Sequence, residues 1–153
     1  MKLSIRRDDL TGPEIRALLE AHLATMRSLS PPESIHALDL EGLRRPEIAF
    51  WTVWDGDMLV GCGALKRLSP DEGEIKSMHT AAAHRGKGVA EAMLLHILAE
   101  ARSQGLSRLS LETGSQPGFE PVRRLYAKHG FAFCGPFADY QDDPNSVFMT
   151  LVL

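Results

Sequence analysis

The chain has 153 residues, of which 44% are hydrophobic and 24% are charged, a balance typical of a folded globular protein of one-domain length. Its formal net charge of −3 argues against a general nucleic-acid-binding protein, which is normally basic. The charged N-terminus lacks the apolar segment of a signal peptide, and no apolar run approaches the length of a membrane span, so we expect a cytoplasmic protein with no membrane partner.

Apolar spacing and turn residues predict five elements in the first half of the chain. A stripe with helical spacing from Ile15 to Met26 indicates an amphipathic helix, which Pro31 and Pro32 follow. Asp55-Gly56 is a strong hairpin signal between two β-rich runs. In chain order we predict a strand at 2–7, helices at 13–27 and 34–43, and strands at 47–54 and 58–68.

The second half alternates between strand and helix patterns. From Lys87 the apolar residues recur every three or four positions, which predicts a long helix that ends near Gly105. The other predicted elements are strands at 74–80, 106–113, 131–134 and 146–153 and a helix at 121–129. This order predicts an α/β (α+β) fold in a single domain, 1–153, with a mostly antiparallel central sheet and one parallel crossover through the long helix.

The most informative segment is the glycine-rich loop at 85–90, between a predicted strand and the long helix. A helix start offers unbonded backbone N–H groups and the positive end of the helix dipole, and glycines let a phosphate approach that backbone. The loop lacks a Walker A pattern, and Glu91 stands where a dinucleotide fingerprint needs its third glycine. It does match the pattern [RQ]xxGx[GA], through Arg85, Gly88 and Ala90.

Two further segments add to the evidence from this loop. The strand at 74–80 precedes the loop, and the block at 122–131 contains Leu125, Tyr126, Gly130 and Phe131 in an LYxxxGF pattern. Together the three segments resemble the GNAT superfamily of N-acetyltransferases. The resemblance implies a GNAT-like sheet with splayed central strands flanked by helices, and acetyl-CoA as cosubstrate. It places coenzyme A on Met78, His79, Thr80, Arg85, Gly86, Lys87, Gly88, Val89 and Ala90.

Acetyl transfer from a thioester to an amine requires a neutral amine, donors for the oxyanion and a proton for the departing thiolate. The backbone N–H of Met78 is our candidate for the oxyanion donor. By the resemblance, Tyr126 is the acid for the thiolate. Glu74 is the candidate base, with Glu112 and His79 as rivals.

Acceptor contacts are assigned by the same resemblance. His22, Met26, Ser34 and His36 fall in the region that roofs the acceptor pocket in this superfamily, and Glu112 is a further candidate for the substrate site. The acidic segment 137–146 is either a solvated connection or a lip that attracts a cationic acceptor. The histidines form no HxH or HxxxH pair, so we predict no metal. Cys62 and Cys134 are predicted to be buried free thiols.

These features predict an enzyme that moves an acetyl group from acetyl-CoA to the primary amine of a small molecule by direct attack in a ternary complex. Two alternatives stay open at this stage. One is a non-catalytic acyl-CoA-binding or sensor module, and the other is a protein or peptide N-acetyltransferase. By analogy with the family a homodimer is also expected, and no nucleic-acid partner is expected. Amino acids, polyamines, antibiotics and peptides all remain candidate acceptors.

Overall fold

Seven strands form one sheet in the computed structural model, which describes residues 2–153. In chain order the elements are β1 (Leu3–Arg7), α1 (Pro13–Leu29), α2 (Leu40–Leu43), β2 (Ile48–Asp55), β3 (Met58–Arg67), β4 (Glu72–Thr80), α3 (Val89–Ser103), β5 (Arg108–Gly114), α4 (Glu120–Lys128), β6 (Ala132–Cys134) and β7 (Ser146–Val152). Short 3₁₀ turns lie at Pro32–Ser34, Ala82–His84 and Pro117–Phe119. Within residues 2–153, none of the helices combines the length and apolar character needed to cross a membrane.

The sheet confirms the predicted fold class. Its strand order is β1-β2-β3-β4-β5-β7-β6, and all neighbouring pairs are antiparallel except β4 and β5. The parallel pair is joined through α3, because parallel neighbours need a crossover connection. The predicted order of helices and strands is therefore correct, and the boundaries of most elements agree within two residues.

The two central strands separate partway along their length. Pairing of β4 with β5 ends at Ile75 and Leu111, although β4 continues to Thr80 and β5 continues to Gly114. Beyond Ile75 the backbone groups of β4 on this side have no strand partner. The gap between the strands is the splay that the sequence analysis predicted.

Each face of the sheet buries its own apolar core. One face packs against α3 and α4, with Leu94, Ile97, Leu109 and Met149 fully buried. The opposite face packs against α1 and α2, with Ile15, Leu43 and Phe50 among its buried residues. Burying one such side chain stabilises a fold by roughly 1.5–3 kcal/mol, so these cores hold the central strands in place.

Two local predictions are wrong. The helix expected at 34–43 is helical only at Leu40–Leu43. Asp39 accepts a hydrogen bond from the Gly42 backbone N–H at 2.8 Å, which starts the helix there, and the His36 carbonyl is bound instead by Lys76 of β4. Cys134 was expected to be buried, but it is only partly buried because β6 is an edge strand. Cys62 is buried as predicted.

Candidate active site

The end of β4 contains a bulge beside the gap between the central strands. Ser77 and Met78 together oppose the single residue Gly63 of β3, and Ser77 has a φ of 56°, in the left-handed region. A non-glycine residue in that region costs of order 1–3 kcal/mol, and such strain is concentrated at functional sites. A Cβ on Gly63 would lie 2.6 Å from Met93 and 2.8 Å from Met78, so glycine lets α3 and the bulge pack closely.

The glycine-rich loop has the backbone conformation that its sequence predicts. Gly86 and Gly88 have φ values of 75° and 83°, and a Cβ at either position would meet no atom within 4 Å. Arg85 to Gly88 are exposed, and Gly88 is the N-cap of the 15-residue helix α3. The first N–H groups of α3 therefore face open space beside two basic side chains, an arrangement that fits a diphosphate.

Glu91 links this loop to the block at 122–131. Its carboxylate accepts a hydrogen bond from Lys128 at 2.7 Å and lies 2.8 Å from His129 Nε2, both at the end of α4. These contacts lower the pKa of Glu91, with the Lys128 hydrogen bond as the largest cause. An acidic side chain in the first turn of α3 would repel a bound phosphate, and the two basic partners offset that charge.

A cavity of about 730 Å³ lies on the face of the sheet that carries α1 and α2. Its floor includes Glu74 and Lys76 of β4, and Lys66 of β3 lies beside them. We call the two segments that cover it the roof; they are residues 30–39, before α2, and the loop 135–145, between β6 and β7. The roof residues that line the cavity are Glu33, Ser34, His36, Ala138, Asp139, Tyr140, Gln141, Asp142, Asp143, Pro144 and Asn145.

Direct contacts hold the two roof segments together. The Ser34 hydroxyl donates to the Asp143 carboxylate at 2.5 Å, and this hydrogen bond is the largest cause that lowers the pKa of Asp143. The rings of His36 and Tyr140 meet edge to face, with centroids 5.1 Å apart. The roof is thus a joined cover rather than two independent loops.

Glu74 is buried at the floor of the cavity. It is 2% exposed, and its Oε2 accepts from Lys76 Nζ at 3.1 Å and from the Tyr140 hydroxyl at 2.5 Å. Burial, followed by the Glu74 carboxylate, raises the pKa of Tyr140 above its ordinary value, so Tyr140 keeps its proton and acts as the donor. Both donors therefore bind the same oxygen of this buried carboxylate.

Glu112 occupies the other side of the gap. It follows Leu111, the last residue of β5 that pairs with β4, and it shares a face of the sheet with its β7 partner Phe148. Burial raises the pKa of Glu112 to about 7; Glu74 and Asp143 add to the rise and Lys76 opposes it. At neutral pH this carboxyl group can therefore both hold and release a proton.

The raised pKa of Glu112 predicts a specific pH dependence of stability. In the unfolded chain this carboxyl group loses its proton near its ordinary value of 4.5, while the folded protein keeps it up to about 7. Between these values the folded state binds more protons, so the contribution of Glu112 to stability falls as pH rises. From about pH 5 to about pH 8, we expect the free energy of unfolding of Glu112→Gln to rise by about 1–3 kcal/mol relative to that of the wild type.

Urea unfolding of both proteins at the two pH values measures this gain. Glu47→Gln is the matched control, because Glu47 is exposed and the substitution is chemically the same. The pH dependence of its difference from wild type is the baseline against which that of Glu112→Gln is compared. An equal difference for Glu112→Gln at both pH values would contradict the raised pKa.

Tyr126 lies in the core of the sheet face that carries α3. It is 3% exposed, and its ring is tilted against Phe131 with centroids 5.6 Å apart. Burial raises the pKa of the Tyr126 hydroxyl above its ordinary value, so the group is protonated at physiological pH. A buried, protonated hydroxyl can donate a proton or pack, and its role as an acid stays a prediction.

Two of the three histidines predicted for the site, His22 and His79, form a pair. His22 Nδ1 of α1 lies 3.2 Å from His79 Nδ1 of β4. Burial is the main cause that lowers the pKa of both to about 4, so both rings are neutral at neutral pH and one donates to the other. Met26, one turn beyond His22, is half-buried. Neither His22 nor Met26 lines the large cavity.

The structure brings together only part of the predicted site. Glu74, Ser34 and His36 line one cavity, Glu112 lies beside it, and the predicted contacts of coenzyme A follow the end of β4 and the start of α3. Sequence reasoning missed Lys76, Tyr140 and Asp143. Lys76 could have been found, because it lies two residues from Glu74 on the same face of a strand. Tyr140 and Asp143 lie in the segment 137–146, which the sequence offered as a possible lip, but their contacts with Glu74 and Ser34 have no local signal.

A glycine-rich helix start beside a gap in a mixed sheet fits an acyltransferase that takes its acyl group from coenzyme A. Comparison with known proteins agrees. A family model described as Acetyltransferase (GNAT) family matches residues 15–131. N-acetyltransferase YsnE of Bacillus subtilis (strain 168), itself uncharacterized, is 60% identical over 97% of this chain and 98% of its own length. An IAA acetyltransferase of Azospirillum brasilense is 38% identical over 96% of this chain and 95% of its own.

Solved structures share the whole fold. A Klebsiella pneumoniae protein assigned as an acyl-CoA N-acyltransferase has a TM-score of 0.80 at 29% identity, with 99% of this chain and 97% of that chain covered. A Bacillus subtilis acetyltransferase in complex with CoA has a TM-score of 0.74 at 21% identity, with 99% of both chains covered. The chain belongs to the acetyltransferase (GNAT) family and is an acetyl-CoA-dependent N-acetyltransferase, as predicted.

Proposed function

We propose that residues 1–153 form one N-acetyltransferase domain that moves the acetyl group of acetyl-CoA to the primary amine of a small molecule, by direct attack in a ternary complex. The observation that carries this proposal is the roofed cavity of about 730 Å³ with Glu74 at its floor, beside the gap between β4 and β5. A donor held along the end of β4 and an acceptor held in the cavity would meet at that gap.

The roof supports a small acceptor. Contacts between Ser34 and Asp143 and between His36 and Tyr140 join its two segments beside the cavity, and joined segments restrict the access of a folded protein. The carboxylates of Glu33, Asp139, Asp142 and Asp143 line the same cavity. A rim with this charge attracts an ammonium group, so the acceptor is proposed to be cationic before it loses its proton.

Three groups of the chain are proposed to act on the reacting atoms. Glu74 takes a proton from the ammonium, directly or through water, which frees the lone pair for attack; Glu112 and His79 are the rivals for this role. The Met78 backbone N–H donates to the oxyanion formed when the C–N bond forms. Tyr126 donates a proton to the sulfur as the C–S bond breaks.

The binding of coenzyme A is proposed to involve the loop and the end of β4. Backbone N–H groups at Gly86 to Ala90, with Arg85 and Lys87, would hold the diphosphate, and Met78, His79 and Thr80 would line the pantetheine arm. Acetyl-CoA supplies the acetyl group as a thioester. Several structures with this fold contain CoA or acetyl-CoA, which supports the assignment.

Two measurements test the proposed function. Titration calorimetry with CoA should show binding, and thiol release from acetyl-CoA should appear with at least one member of a panel of amino acids, polyamines, aminoglycosides and peptides. IAA belongs in the panel because one relative is called an IAA acetyltransferase. Binding without release by any amine would favour the sensor alternative, and release only with peptides would favour the peptide acetyltransferase.

A homodimer and a cytoplasmic location are further parts of the proposal. They rest on analogy with the family and on the composition of the chain, respectively. Light scattering of the purified protein tests the first, and cell fractionation tests the second.

A further inference from the structure

Lys76 is a buried lysine whose hydrogen-bonding capacity is fully used. Its side chain is 8% exposed, and Nζ donates to Glu74 Oε2 at 3.1 Å, to the Tyr140 hydroxyl at 3.0 Å and to the His36 carbonyl at 3.5 Å. An ammonium group has three N–H donors, so none remains for a ligand. Lys76 therefore does not recognise an acceptor; it joins β4 to both segments of the roof.

Tyr140 also makes several side-chain contacts, although it lies on a loop without regular secondary structure. Its ring contacts the rings of His36, Phe137 and Phe148 with centroids 5.0 to 5.5 Å apart. Its hydroxyl donates to Glu74 Oε2 at 2.5 Å. The hydroxyl is thus one corner of a triangle formed by Glu74, Lys76 and Tyr140, in which each side chain contacts the other two.

The triangle leaves one side of the Glu74 carboxylate free. Both donors bind Oε2, and within residues 2–153 Oε1 has no hydrogen-bond partner, while Glu74 lines the cavity. Two fixed donors on one oxygen set the rotation of the carboxylate and direct the other oxygen to the cavity. An ammonium bound there would meet an oriented, charged acceptor for its proton.

We propose that Lys76 and Tyr140 are positioning residues for this reaction: the closed roof, through Tyr140 and Lys76, holds Glu74 in the orientation that takes the proton of the amine. This inference rests on the proposed function, because it requires the cavity to be the acceptor site and Glu74 to be the base. It assigns a role to two residues outside the predicted site, and it links the roof to the orientation of the base.

Tyr140→Phe is the first test, because it keeps the ring contacts and removes only the hydroxyl. With the best amine from the panel, we expect kcat to fall about 10–100-fold, the effect of one hydrogen bond to a charged group. The KM for acetyl-CoA should change by no more than about twofold, because the loop that binds it is untouched. If only the KM for the amine rises, the Tyr140 hydroxyl contacts the amine but does not orient Glu74. That result would overturn the proposal.

A double-mutant cycle with Glu74→Gln separates positioning from general damage. If Tyr140 acts through Glu74, adding Tyr140→Phe to Glu74→Gln should cause no further loss of kcat. Losses that multiply in the double variant would overturn the positioning role. Wild-type protein that binds CoA but acetylates no amine would instead overturn the proposed function, so the two failures are distinguishable.

Hydrogen exchange tests the joining of the roof without any acceptor. Lys76→Met should speed exchange of the amides in 30–39 and 135–145, because it removes the shared donor. Lys66→Met is the matched control, since Lys66 is the neighbour of Glu74 on β3 but makes no contact with the roof among the described hydrogen bonds. Equal exchange in the two variants would contradict the role given to Lys76.

Discussion

Replacing Tyr126 with phenylalanine is expected to lower kcat about 100-fold or more, the usual contribution of a positioned acid. Phenylalanine keeps the ring that packs against Phe131 and removes only the hydroxyl, which burial keeps protonated. Without that proton the thiolate must leave as an anion. The affinity for CoA should stay within about twofold, because the loop proposed to hold the diphosphate is unchanged.

Steady-state kinetics and calorimetry with CoA measure the two effects separately. Thermal unfolding is the control for the fold, since Tyr126 is a core residue and its loss of one hydroxyl should not change the cooperative transition. A variant that turns over at the wild-type rate would show that Tyr126 serves only to pack α4 against the sheet.

The second large effect is expected at the start of α3. Gly88→Ala should weaken CoA binding about 100-fold, equivalent to about 2.7 kcal/mol. Gly88 has a φ of 83° and open space around its Cβ position, so a methyl group would project where the backbone approaches the diphosphate. It would also shift the first N–H groups of the helix, which are the proposed donors.

Gly56→Ala is a close control for this variant. Gly56 has a φ of 59° and likewise no atom within 4 Å of its Cβ position, but it lies in the β2–β3 turn. Both substitutions carry the same cost of placing alanine in the left-handed region, about 1–2 kcal/mol. The control should therefore lose similar stability and bind CoA normally. If the two variants bind CoA equally well, the diphosphate does not bind at Gly88.

Local chemistry explains why the conformation of the glycine-rich loop could be predicted from the sequence. Each property that the loop needs belongs to a residue in it or next to it: glycine tolerates the left-handed φ at 86 and 88, and the apolar stripe that follows sets the start of α3. The hairpin at Asp55-Gly56 and the splay after Ile75 follow from equally short patterns or from the family resemblance.

The acceptor side depends on contacts between distant residues. Tyr140 is 66 positions from Glu74, and Lys76 is 40 positions from His36, so neither contact has a periodic signal. The non-helical backbone at 35–39 has the same cause, because a donor from β4 binds a carbonyl that a helix would have used internally. Short-range backbone preference specified the conformation of the loop before α3; the packing of separate segments over β4 alone decided which side chains line the cavity.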